Sequence, residues 1–109
     1  MAVDQINIAE SAEQLDEDDE IAIEAMRKDS FSFHIMRFEP GDKDSMHAHS
    51  VDEIYHVDTG KATLVTEEES IEVEPGDVVH LEPETDHQFT DFEGEFVVTV
   101  TYAPGEGSE

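Results

Sequence analysis

The chain has 109 residues, with 30 Asp and Glu against 5 Lys and Arg, for a formal charge of -25. A surface this negative repels phosphate backbones and anionic leaflets, which excludes ordinary nucleic-acid binding and membrane attachment through basic patches. Cysteine is absent, so disulfides, thiolate catalysis and Cys-ligated metals are excluded as well.

High charge also accompanies disorder, but 26 of the 109 residues are Leu, Ile, Val or Phe, above the roughly 20% level below which charged chains stay unfolded. The apolar residues alternate in clusters, which predicts a folded domain with an acidic coat. The acids are spread along the chain; the longest runs are Asp16-Glu17-Asp18-Asp19-Glu20 and Glu67-Glu68-Glu69. That style resembles proteins of organisms that keep molar salt in the cytoplasm, where a Debye length of about 3 Å screens self-repulsion. The start, Met1-Ala2-Val3-Asp4-Gln5, carries no basic or apolar leader pattern, and no apolar run approaches spanning length, so the expected compartment is the cytoplasm.

In chain order, residues 5–9 read as a possible edge strand. Residues 11–15 read as one helical turn, since Ser11 and Gln14 have capping-box spacing. From about Glu20 the pattern has period two, with strands expected at 21–27, 31–38, 45–49, 53–57, 62–66, 70–73, 77–81, 87–92 and 96–102. Their separators are turn-like: Lys28-Asp29-Ser30, Pro40-Gly41-Asp42, Asp58-Thr59-Gly60, Pro75-Gly76-Asp77 and Glu93-Gly94. The expected organisation is an N-terminal extension at 1–19, one all-β domain of sandwich or barrel type at 20–103, and a flexible tail at 104–109.

Six histidines among so few cations mark the place to look for chemistry. His47 and His49, two apart on a β-patterned stretch, leave the same face, and Glu53 follows at matching parity. A straight strand would separate His47 from Glu53 by about 20 Å, whereas metal–ligand bonds are about 2.0–2.2 Å. One ion can therefore gather them only if the chain turns at Ser50-Val51-Asp52. A fourth ligand must come from a distant segment, and His87 is the best-placed histidine on a later strand.

The stretch from Gly41 through His47-Ala48-His49 and Glu53 to Gly60 resembles the first conserved motif of the cupin superfamily, with every spacing met. Pro75-Gly76-Asp77 through His87-Gln88-Phe89 resembles the second, although Glu82 and Glu84 stand where a Pro and a Gly usually precede the histidine. Pro83 lies one residue later than that Pro, and no Asn follows His87. The resemblance implies a double-stranded β-helix barrel of jelly-roll type holding a divalent metal on His47, His49, Glu53 and His87. It also implies a small-molecule ligand or substrate and a homodimer. Three imidazoles and one carboxylate suit Fe(II), Mn(II), Ni(II), Co(II) or Zn(II), and in an octahedral ion two adjacent positions stay open.

Other residues weigh less. His34 shares parity with Met36 and Phe38, and Arg37 with Phe33 and Ile35, so only one of His34 and Arg37 faces the cavity. Pairing with surface acids is the preferred reading of Arg37. His34, Met36, Tyr55, His80 and Phe89 are candidate pocket-lining residues, while His56 should point away. Packing explains Tyr55 and Phe89 at least as well, and pairing on an exposed sheet explains His80 better. The expected function is a metal-dependent dioxygenase, isomerase, epimerase or lyase, or else a non-catalytic small-molecule binding or sensing domain. No catalytic residue separate from the ligands stands out.

Overall fold

The structure, a computed structural model, describes residues 3–105. The part of the expected tail from 106 onward lies outside the described residues. The first element is a helix, α1 (Ile8–Asp18), in place of the expected edge strand and single turn. Ile8, Ala12 and Leu15 are spaced to share one helical face. Asn7, not Ser11, is the N-cap, its side chain accepting the Glu10 N–H at 2.9 Å. Alternation of Ile6 and Ile8 alone is too short to specify a strand against these signals.

The helix lies on the outside of the sheet, where Ala12 and Leu15 are buried with Ile35 and Val97, and Phe33, Ala25 and Ile6 pack around them. Its last turn carries Asp16 and Asp18 and no basic residue, which opposes the helix dipole. Arg37 offsets this from the sheet, reaching Asp16 at 3.3 Å, Glu39 at 2.8 Å and Glu95 at 2.5 Å. These acids, the Glu95 hydrogen bond foremost, raise the guanidinium pKa still further. Arg37 therefore faces outward, and its one-residue neighbour in the pleat, Met36, packs against the barrel core.

Six antiparallel strands follow: β1 (Ala22–Arg27), β2 (Ser32–Phe38), β3 (Asp52–Thr66), β4 (Ser70–Val73), β5 (Val78–Leu81) and β6 (His87–Ala103). Their order is β1-β2-β6-β3-β4, with β5 also on β3. The all-β expectation holds, but two pairs of expected strands are each one long strand. Asp58-Thr59-Gly60 and Glu93-Gly94, read as separators, lie inside β3 and β6 and nearly opposite one another, with Thr59 beside Val97 and Lys61 beside Glu93. Register shifts cluster there, so both strands bend together while staying paired. Gly60 sits at the bend with φ 79°, and its α-carbon lies so close to the Glu95 carbonyl that only hydrogen fits.

Inside the barrel, Phe38 stacks on Phe92 with ring centroids 4.6 Å apart, and Phe96 and Phe89 continue the cluster. Val57, Leu64, Val98 and Val100 complete this apolar filling. The two long strands then carry Glu53, His87 and Tyr102 to the same end of the barrel.

Candidate metal centre

The expected strand at 45–49 is not formed; the segment makes one isolated bridge, with His47 and His87 exchanging backbone hydrogen bonds of 3.0 and 2.9 Å. Asp44 holds it there, its carboxylate accepting the Phe89 N–H at 2.9 Å and its carbonyl accepting from Gln88 Nε2 at 3.1 Å. The chain bends at Ser50 and Val51 and enters β3 at Asp52, so Glu53 turns back toward the histidines. The bend falls within the Ser50-Val51-Asp52 segment where a shared ion would call for one.

Glu53, His87 and His47 lie near one another here, with His49 farther out. Glu53 and His87 are fully buried, with His87 Nε2 3.4 Å from Glu53 Oε1. The His47 ring centroid is 4.5 Å from that of His87 and 5.2 Å from that of His49. His49 stands farther off, 6.5 Å from the His87 ring, with its Nε2 3.5 Å from the Tyr102 hydroxyl. Among the described residues, no three His, Asp or Glu side chains are gathered closely enough, as they stand, to hold one ion.

The donor chemistry nevertheless fits a metal. His87 Nδ1 lies 2.9 Å from the Thr85 carbonyl, and His47 Nδ1 lies 2.6 Å from the Ser45 carbonyl. A carbonyl only accepts, so each ring carries its proton on Nδ1 and keeps the Nε2 lone pair for another partner. This backbone locking of the far nitrogen is the arrangement that orients metal-bound imidazoles. Burial, more than the neighbouring His47 and His49, holds the His87 pKa below the ordinary histidine value, which favours that neutral form. Two ligands at about 2.1 Å from one ion are roughly 3.0–3.4 Å apart at octahedral or tetrahedral angles, and the Glu53–His87 separation of 3.4 Å falls in that range.

Of the candidate lining residues, Tyr55 takes part most directly. It is buried, and its hydroxyl lies 3.0 Å from His87 Nε2 and 3.2 Å from Glu53 Oε1. Burial first, and then the Glu53 charge, push its pKa well above the usual phenol value. His34 makes an edge contact with Tyr102, centroids 5.0 Å apart, on the interior side. Met36 is half-buried against the core. Phe89 is core packing between Tyr55 and Phe96 and does not line an open pocket.

His80 needs correction as a pocket residue, because β5 pairs with β3 in a register that sets it beside exposed Ile54 on the outer face. There it pairs with Asp52 at 2.8 Å, and it borders an outer cleft of about 470 Å³ that Glu67, Glu69, Glu82 and Asp86 also line. His56 is exposed.

Neither Tyr102 nor Asp44 is among the residues that the sequence pattern marks for the site. Tyr102 was accessible through parity with Phe96, Val98 and Val100, whereas Asp44 carries no local signal. Glu84 is a further case. It stands where the cupin pattern has glycine, and it adopts φ 68°, in the left-handed region that glycine favours. Its N–H donates to the His49 carbonyl at 2.7 Å. The loop thus keeps its shape with a residue less suited to it.

The cupin domain family matches residues 34–103, and with the two motifs and this barrel in place the chain belongs to that family. A relative, the uncharacterized protein SCO3923 of Streptomyces coelicolor, is 27% identical over 84 residues, covering 77% of this chain and 80% of its own. An RmlC-like cupin from Methanocaldococcus jannaschii with a double-stranded β-helix fold superimposes with TM-score 0.71 at 13% identity, over 77% of this chain and 79% of its own. The DMSP lyase DddQ of Ruegeria pomeroyi gives TM-score 0.66 at 23% identity over 70% of this chain but only 39% of its own length. At these identities the structures establish the fold, which is the double-stranded β-helix.

Proposed function

We propose that this chain is a metal-dependent cupin in which His47, His49, Glu53 and His87 hold one divalent transition ion and a small organic molecule binds beside it. The observation that carries this reading is the pair of histidines with Nδ1 anchored on carbonyls, set against a fully buried carboxylate. When bound, such an ion supplies Lewis-acid or redox chemistry. Glu53 would then offset part of its charge, and the buried ring of His87 would keep water from that side. The reaction classes that fit are dioxygenation and isomerase, epimerase or lyase chemistry on a small oxygenated metabolite. That one cupin-fold neighbour is a lyase supports the last of these.

None of the five cationic side chains faces the interior. Arg27 pairs with Glu24, Lys28 with Asp4 and Arg37 with three acids, while Lys43 and Lys61 are exposed. A phosphorylated substrate would find no guanidinium to receive it. A second reading, a non-catalytic binding or sensing domain, is favoured by the Tyr55 hydroxyl, which is engaged with Glu53 and His87 and kept protonated. It leaves no separate base in view.

Metal analysis after purification without chelator, followed by oxygen uptake of the Fe(II) form over diols, thiols and 1,3-diketones, separates these readings. Stoichiometric metal with turnover of one class supports the enzyme. Saturable binding of one class with no turnover supports the binder, and no metal refutes the metal-dependent reading.

The acidic coat fits adaptation to high salt in the cytoplasm. Urea midpoints are expected to rise between dilute buffer and molar KCl as screening relieves self-repulsion; equal midpoints would count against that adaptation. Among the described residues no helix is long and apolar enough to cross a membrane.

A further inference from the structure

We propose that Tyr55 is a positioning residue whose hydroxyl holds Glu53 and His87 at ligating separation before any metal arrives; this rests on the metal reading above. Three buried atoms form a triangle: Tyr55 Oη to His87 Nε2 at 3.0 Å, Tyr55 Oη to Glu53 Oε1 at 3.2 Å, and His87 Nε2 to Glu53 Oε1 at 3.4 Å. His87 Nδ1 donates to the Thr85 carbonyl, so Nε2 of the neutral ring presents a lone pair, as does the Glu53 carboxylate oxygen. Two such acceptors repel at this distance in a dry interior. Within the triangle the hydroxyl carries the one proton available for donation, and it lies within reach of both.

The tyrosine hydroxyl therefore bridges the two acceptors. It keeps the carboxylate and the imidazole from turning apart, at a spacing that one ion can bridge. Its own ring is fixed by an edge contact on Phe89, centroids 5.1 Å apart, and by burial on β3 two residues from Glu53. Metal entry would take the lone pairs of His87 and Glu53 and leave the hydroxyl to donate to the carboxylate alone. Glu53 and His87 need not be gathered at that moment, so the ordering cost of this pair is met during folding.

The test is Tyr55→Phe, titrated after chelator treatment with Co(II) alone and compared with the wild type by competition affinity and visible absorption. The variant is expected to unfold cooperatively, to bind Co(II) about ten- to a hundredfold more weakly, the usual effect of losing a partner behind a metal ligand, and to show an altered absorption band. A folded variant with unchanged affinity and spectrum overturns the positioning role while leaving the metal reading intact. If the wild type binds no Co(II), the metal reading itself fails. Should Tyr55→Phe not fold, nitrogen NMR of His87 in the metal-free wild type decides. An unprotonated, hydrogen-bonded Nε2 supports the proposal, and a protonated Nε2 overturns it.

Discussion

Protein in which His47 and His87 are both replaced by alanine is expected to emerge from chelator-free purification without a transition metal, where the wild type is expected to carry one. These are the two imidazoles whose Nδ1 atoms are tied to the Ser45 and Thr85 carbonyls, so they would contribute the preorganised share of the proposed ligand set. Their removal leaves Glu53 and His49, too few to hold an ion against water. The loss should not be a folding artefact. Residues 47 and 87 are bridged through their backbones, and alanine preserves that bridge. Leaving the Thr85 carbonyl without its imidazole donor costs about 1–3 kcal/mol, which a domain stable by roughly 5–15 kcal/mol tolerates. Elemental analysis together with circular dichroism checks both halves of the expectation. A folded double variant that keeps stoichiometric metal would sink the ligand assignment.

Gly60→Ala is expected to destabilise the chain far more than Gly76→Ala, although both glycines have positive φ. A β-carbon at Gly60 would lie 2.1 Å from the Glu95 carbonyl oxygen, 2.9 Å from its carbon and 3.1 Å from the Phe96 α-carbon. These are backbone atoms of the paired strand, so relief requires moving β6 away from β3 at their common bend. At Gly76, φ 96°, nothing lies within 4 Å of the added carbon, and only the left-handed backbone penalty of about 1–2 kcal/mol remains. For Gly60 the contact adds to that penalty, giving on the order of 3–5 kcal/mol, in the range reserved for severe steric or core defects. Urea midpoints of the two variants measure the difference. Equal losses would mean that the strands separate at the bend without cost.

The same bend explains why the sequence overcounted strands. Asp58-Thr59-Gly60 and Glu93-Gly94 have turn composition, but turn chemistry fixes only local dihedrals. Whether a chain reverses or bends while still paired depends on what lies across from it, and that is a tertiary fact. The opposite holds for the proposed ligands. His47, His49 and Glu53 sit on one contiguous stretch that bends at Ser50 and Val51, so their proximity could be read from residue order. His87 could be chosen because few histidines compete with it. The Tyr55 hydroxyl, the Asp44 anchor and the choice between His34 and Arg37 needed the register of β2 on β6 and the outer helix, which alternation alone does not supply. The helix reads too short in the sequence for a local reason. Asn7 and Ser11 are both plausible caps, and the spacing of Ile8, Ala12 and Leu15 favours the earlier one.

The pairing of β3 with β6 joins Asp52 to Ala103 at one end and Thr66 to His87 at the other. Contacts between residues so distant along the chain place the molecule among slow folders, where loop closure precedes any reward from packing. Glu53, opposite Tyr102, lies beside the widest of these closures and His87 in the narrowest, and His47 reaches His87 across a separation of forty residues. No short fragment can rehearse the site in isolation. The corner that brings Glu53, His47 and His87 together comes into being only when the whole barrel closes, so in a nascent or partly unfolded chain these side chains lie scattered.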